Sequence, residues 1–171
     1  DGQHSAYLAA ISNSFAYVVD GSVRVQSGEV LPGSGYTRDV FRITGTRMEP
    51  NGDWFAAGLN EIDGRDWVVK NGTLIAEEFQ PIVPGSSEQW GFSSTLSPAF
   101  FGAIGHPSGD HVVIGATLAS SSQVMVRNGS EEIIRTGDPI DLDGNGLFDD
   151  GAFFGSFEFL GGWGENGWLY A

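Results

Sequence analysis

The sequence predicts an all-β fold built from propeller-type repeats, each contributing four short antiparallel strands. Three observations carry that expectation. The segment PNGDWFAAG at 50–58 returns as PSGDHVVIG at 107–115, with Gly52 and Gly109 standing 57 residues apart. The dipeptides Asp20-Gly21, Asn71-Gly72 and Asn128-Gly129 lie between apolar runs. Residues that tolerate positive φ at such places give two-residue hairpins whose turn matches strand twist. Finally, short β-branched and aromatic runs bounded by Gly, Pro and Asn recur without any helical periodicity. About four strands per unit of roughly 50 to 57 residues is the spacing of propeller blades. A β-sandwich or β-solenoid of the same strands is the alternative arrangement.

Taken in order, the chain reads as one repeat domain over 1–171. Repeat 1 covers about 5–49, repeat 2 about 50–106 and repeat 3 about 107–164, and 165–171 starts a fourth. Small apolar first strands are expected at 6–10, at 54–57 and within the matching segment 107–115, and second strands at 17–20, 66–70 and 124–127. Third strands follow each hairpin at 23–26, 73–76 and 131–135. Turn-rich connections come next, marked by Pro32-Gly33 and Pro84-Gly85. A fourth, aromatic-bearing strand is expected to close each unit, at 39–44, 100–104 and 155–160. A single repeat cannot bury both faces, so neighbouring units must stack.

Composition narrows the class. Hydrophobic residues make up 40% and charged residues 18% of the chain, which suits a packed core and not a disordered segment. Acidic residues outnumber basic ones 22 to 8, for a formal charge of -14. Such a surface repels nucleic acid and anionic membranes. No apolar run approaches the length of a membrane span. The chain has no cysteine, which removes disulfides and thiolate metal sites. The chain begins at Asp1 without a signal peptide, which reads as a mature form or a fragment.

The stretch DLDGNGLFDD at 141–150 carries the clearest chemistry. Asp141, Asp143 and Asn145 alternate, Gly146 allows a sharp turn, Leu147 offers a backbone carbonyl, and Asp149 and Asp150 follow. This is the ligand spacing of an EF-hand-type calcium loop. The twelfth position is Ala152 instead of a bidentate Glu, so Asp150 is expected to replace it. Five acidic residues between Asp138 and Asp150 with no Lys or Arg would repel one another without a cation. The loop resembles the short aspartate loops of secreted calcium-stabilised modules, such as thrombospondin type 3 repeats. Pro81-Ile82 aligns with Pro139-Ile140, so the loop elaborates a connection that is plain in the preceding repeat.

The Val126 to Gly129 hairpin followed by Gly137-Asp138-Pro139 gives the repeat a family likeness. It resembles the propeller-like repeats of secreted bacterial proteins, with a V-x-[ND]-G hairpin and a G-D-P segment. The resemblance implies a secreted or cell-surface module. The Gly-His and Trp-Asp signatures of WD40 repeats and the Phe-Gly and Gly-Ala-Pro elements of integrin-type repeats are missing.

Other residues carry less. Trp54, Trp67 and Trp168 fall in expected strands, whereas Trp90 and Trp163 fall in loops and are the candidates for stacking on a glycan. His111 aligns with Trp54 and reads as a packing variant, and Glu77-Glu78 and Glu131-Glu132 read as solvated strand positions. No catalytic constellation is recognised. The expectation is a non-catalytic, calcium-stabilised structural or adhesive module, with a carbohydrate-binding propeller second and a glycan-active enzyme third. Apolar strands near both ends leave open edges, which predicts a homo-oligomer or filament.

Overall fold

The computed structural model describes residues 4–12, 14–31, 40–60, 63–92, 98–157, 162–163 and 169–170. The fold is all-β and antiparallel, with no helix among the described residues. Sheet one holds β1 (Ala6–Ile11), β2 (Ser14–Val19) and β3 (Ser22–Gln26). Sheet two runs β4 (Val40–Met48), β5 (Trp54–Asn60), β6 (Asp66–Lys70) and β7 (Thr73–Glu77). Sheet three runs β8 (Phe100–Gly105), β9 (His111–Ala116), β10 (Gln123–Arg127) and β11 (Glu131–Arg135). Two short hairpins follow: β12 (Pro139–Ile140) with β13 (Ala152–Phe153), and β14 (Gly162–Trp163) with β15 (Leu169–Tyr170).

The hairpin signals hold. Asp20 and Gly21 have φ of 49° and 74°, Asn71 and Gly72 of 50° and 82°, and Asn128 and Gly129 of 50° and 63°. Side chains staple these turns to the strand before. Asn71 donates from Nδ2 to Asp53 at 2.6 Å and accepts the Trp54 N–H at 2.9 Å. Asn128 repeats this with Asp110 at 2.8 Å and the His111 N–H at 2.9 Å. In sheet one, Asp20 occupies the Asn position, accepting the Ser5 N–H at 2.8 Å and lying 3.0 Å from His4 Nδ1.

The strand expected to close each unit instead opens the next sheet. β4 pairs with β5 and β8 with β9, so sheet boundaries are out of phase with the repeat boundaries. Connection length is the reason. A turn of a few residues links β4 to β5 and β8 to β9, and such links make antiparallel neighbours. The connections from β3 to β4 and from β7 to β8 are far longer. The residues 158–160 of the third such segment, together with Pro32-Gly33 and Trp168, lie outside the described residues.

Strand alternation directs the core. Trp54, Ala56, Trp67 and Val69 of sheet two meet Tyr17, Val19 and Val25 of sheet one. The opposite face of sheet two presents Phe55 and Val68 to Val113, Val124 and Val126 of sheet three. The far face of sheet three, with Val112, Ile114 and Met125, is covered by Phe157. Three consecutive layers thus bury apolar faces on one another, and sheet two is buried on both sides. Polar bridges reinforce the second interface. Glu49 accepts the Gly105 N–H at 3.0 Å, and Asp66 accepts the Ala99 N–H at 2.5 Å.

Candidate metal centre

Three connections share one anchor. Gly28 N–H donates to Val40 O at 2.8 Å, Phe79 N–H to Trp90 O at 2.8 Å, and Gly137 N–H to Phe154 O at 2.8 Å. The return bonds run from the N–H of Val40 to Glu29 O, of Trp90 to Gln80 O and of Phe154 to Asp138 O. Gly28, Phe79 and Gly137 all adopt positive φ. The aspartate stretch is therefore the tip of the third connection, carried on the β12–β13 hairpin.

Within that tip, the Asp141 carboxylate is the hub. It accepts N–H bonds from Gly144 at 2.8 Å, Asn145 at 3.2 Å and Gly146 at 2.7 Å. Those bonds, the Gly146 one foremost, hold its pKa below the usual carboxylate range. Gly144 and Gly146 sit at φ of 75° and 86°, which lets the backbone curl around the carboxylate. Asp143 accepts the Asn145 N–H at 3.1 Å, and Asp150 accepts the Leu142 N–H at 2.7 Å. Asn145 Nδ2 donates to Asp143 at 3.0 Å while its Oδ1 accepts the Leu147 N–H at 2.7 Å.

Asp141, Asp143 and Asp150 each offer a carboxylate oxygen within 4.8 Å of the others. Two oxygens on one calcium, at about 2.3–2.6 Å each, lie no more than roughly 5 Å apart. The three carboxylates therefore fit a single hard cation. An oxygen-only donor set with no imidazole or thiolate suits calcium or magnesium over zinc. Asp149 stands outside this group of three, and Asn145 and Leu147 belong to the same turn. The loop is exposed, with Leu142 at 69%, Leu147 at 58% and Phe148 at 66% accessibility.

The glycan candidates fare differently. Trp90 is buried at 3% and packs against Phe100, with ring centroids 5.4 Å apart. Its ring also lies where a Cβ on Gly115 would stand, 2.9 Å from the nearest ring atoms. Trp90 is thus the plug of the second connection, equivalent to Val40 and Phe154, and has no free face for a sugar. The Trp163 side chain lies outside the described residues.

Carboxylates elsewhere have structural work. Glu131 and Glu132 are exposed and pair with Arg127 and Arg135. Glu77, expected to be solvated, is buried at 6%, opposite Trp67 across the β6–β7 pairing. Burial raises the pKa of both Asp66 and Glu78, and Asp66 ties sheet two to the segment leading into β8. His111 is half-buried, and desolvation lowers its pKa, as expected of a packing residue. An apolar cleft of about 350 Å³ lies between β4 and β8; its lining carries Arg47 and no carboxylate. Sequence reasoning found the aspartate loop and missed the Asp53–Asn71 staple, although both halves recur in the repeat. Comparison with protein-family models, curated proteins and solved structures gives no match.

Proposed function

We propose that this chain is a non-catalytic, calcium-stabilised repeat module with a structural or adhesive role outside the cell or at its surface. The observation that carries the reading is the convergence of Asp141, Asp143 and Asp150 on one elaborated connection. Three acidic side chains held together in an exposed turn repel one another, and a divalent cation removes that cost. Calcium fits a medium where it is abundant, which is the link to an extracellular setting. A propeller-type arrangement is supported by the way each sheet presents one face to the sheet before and the other to the sheet after. The stacked layers are equally compatible with a sandwich. We include self-association in the proposal, through strands near the chain ends.

Thermal unfolding with calcium and with chelator tests the metal. Ligand that binds only the folded state stabilises it by about 2.7 kcal/mol at a hundredfold excess over Kd. Calcium is expected to raise Tm in the native chain and to leave Asp143→Ala unmoved. Superimposable melts of the native chain in the two conditions would sink the calcium reading.

A further inference from the structure

Asp53 gathers more than its hairpin staple. One carboxylate oxygen accepts from Asn71, and the other, Oδ2, meets two further nitrogens. Lys70 Nζ lies 3.0 Å from Oδ2, and Asn51 Nδ2 lies 3.2 Å from the same atom. The two nitrogens are therefore no farther apart than those distances laid end to end. The carbonyl of the same amide is held too: Asn51 Oδ1 accepts the Asp53 N–H at 3.0 Å. An amine and a carboxamide thus share one carboxylate, where the β4–β5 turn meets the end of β6.

The corner is shielded from water. The side chains of Lys70 and Asp53 are only 14% and 17% exposed. Nζ stands 5.8 Å from the centre of the Phe55 ring, which is buried between sheets two and three. From sheet three, Gly109 O accepts a bond from Nζ at 2.5 Å, which fixes the amine from a second side.

Sheet three keeps the frame of this corner without its reactive groups. Asp110 and Asn128 stand where Asp53 and Asn71 do, but Arg127 replaces Lys70 and Ser108 replaces Asn51. A guanidinium stays protonated and does not act as a nucleophile. A serine offers no carbonyl to attack. The Asp–Asn staple therefore needs neither Lys70 nor Asn51, and their meeting at Asp53 is particular to sheet two.

We propose that Lys70 and Asn51 condense into an intramolecular amide cross-link, with Asp53 carrying the protons. At rest Lys70 is an ammonium paired with Asp53. Proton transfer to Oδ2 leaves a neutral amine beside a carboxylic acid, which scarcity of water favours. The Nζ lone pair attacks Asn51 Cγ and forms the new C–N bond. The charge that develops on Oδ1 is met by the Asp53 N–H already bonded to it. Asp53 passes its proton to Nδ2 and takes one from the acylated Nζ. The Cγ–Nδ2 bond breaks, and the leaving ammonia carries the last proton into water as ammonium. In balance, one lysine ammonium and one carboxamide give one secondary amide and one ammonium, with Asp53 unchanged. No oxidant or metal takes part, so the step is independent of the calcium reading. The bond closes residues 51–70 into a loop, in a chain that has no cysteine for a disulfide.

Intact-mass spectrometry of the folded full chain, incubated with calcium present, is the test. The mass is expected to fall below that of the sequence by one ammonia. Trypsin is expected to leave Lys70 uncut and to release a branched peptide joining Lys70 to Asn51. Lys70→Arg and Asn51→Ser, which copy sheet three, are expected to keep the native circular dichroism, to show their full masses and to melt at a lower temperature. A folded native chain that keeps its full mass after prolonged incubation overturns the cross-link. A loss of ammonia that survives in Lys70→Arg would come from cyclisation at an Asn-Gly pair and would also overturn it, as would a branch point at Asn71.

Discussion

The second and third connections hang from the same pair of backbone bonds and are held together in opposite ways. Between Phe79 and Trp90 the connection folds inward. Ile82 and Trp90 are 2% and 3% exposed, and Arg135 grips Glu88 from sheet three at 2.7 Å. Between Gly137 and Phe154 the connection turns outward, its apolar residues 142, 147 and 148 are exposed, and a carboxylate gathers the backbone amides. The first is stable by burial of apolar surface, which water drives and which needs no bound ion. The second gathers carboxylates at the surface and is held by the backbone amides that they accept. One repeat scaffold thus accepts either solution, because its anchor is made of backbone groups that any sequence supplies.

The largest expected effect tests the inward connection. Trp90→Ala should cost about 3–5 kcal/mol in denaturant unfolding, because it empties a buried aromatic site against Phe100 and Gly115. Phe154→Ala, at the equivalent but half-buried position, should cost clearly less. Equal losses would mean that the two connections are packed alike and that the contrast is only apparent.

A smaller effect concerns the shared left-handed position. Gly28 and Gly137 are glycines there, whereas Phe79 holds φ of 66° at the cost of Cβ crowding. Phe79→Gly should raise stability by up to about 1 kcal/mol, reduced by loss of the Arg65 guanidinium 5.3 Å above the ring. A clear destabilisation would show that the ring contact outweighs the backbone strain.

The smallest is a local response to acid. Asp141 has a folded pKa below its unfolded value, with the Gly146 amide as the leading cause. Its contribution is present above the unfolded value of about 3.9 and is lost as pH falls through the folded one. Protection of the Gly144 and Gly146 amides should fall across that acid range, while the Trp90 amide stays protected. Uniform loss in both connections would indicate global unfolding in place of a local event.

Legibility in the sequence followed the range of the cause. Asn71-Gly72 and Asn128-Gly129 announced their turns because positive φ is a property of the residues themselves. The alternation of Asp141, Asp143 and Asn145 announced a convergent loop for the same local reason. Which late carboxylate joins Asp141 and Asp143 depends on how the chain re-enters β13, and the structure brings in Asp150. The pairing of β4 with β5 was hidden because a strand's sequence does not say which neighbour it prefers. Trp90 looked like a loop residue because its burial depends on the absence of a side chain at Gly115, distant in sequence.

The Asp–Asn staples bear on how quickly such a chain finds its fold. All-β proteins are usually slow folders, because their contacts join distant parts of the chain and closure must precede reward. Here Asp53 and Asn71 are 18 residues apart, Asp110 and Asn128 are also 18 apart, and Ser5 and Asp20 are 15 apart. Each staple closes a short loop, whose entropic cost is small. Each of the three larger sheets therefore carries its own starting point for assembly, and docking one sheet on the next can follow as a separate, later event.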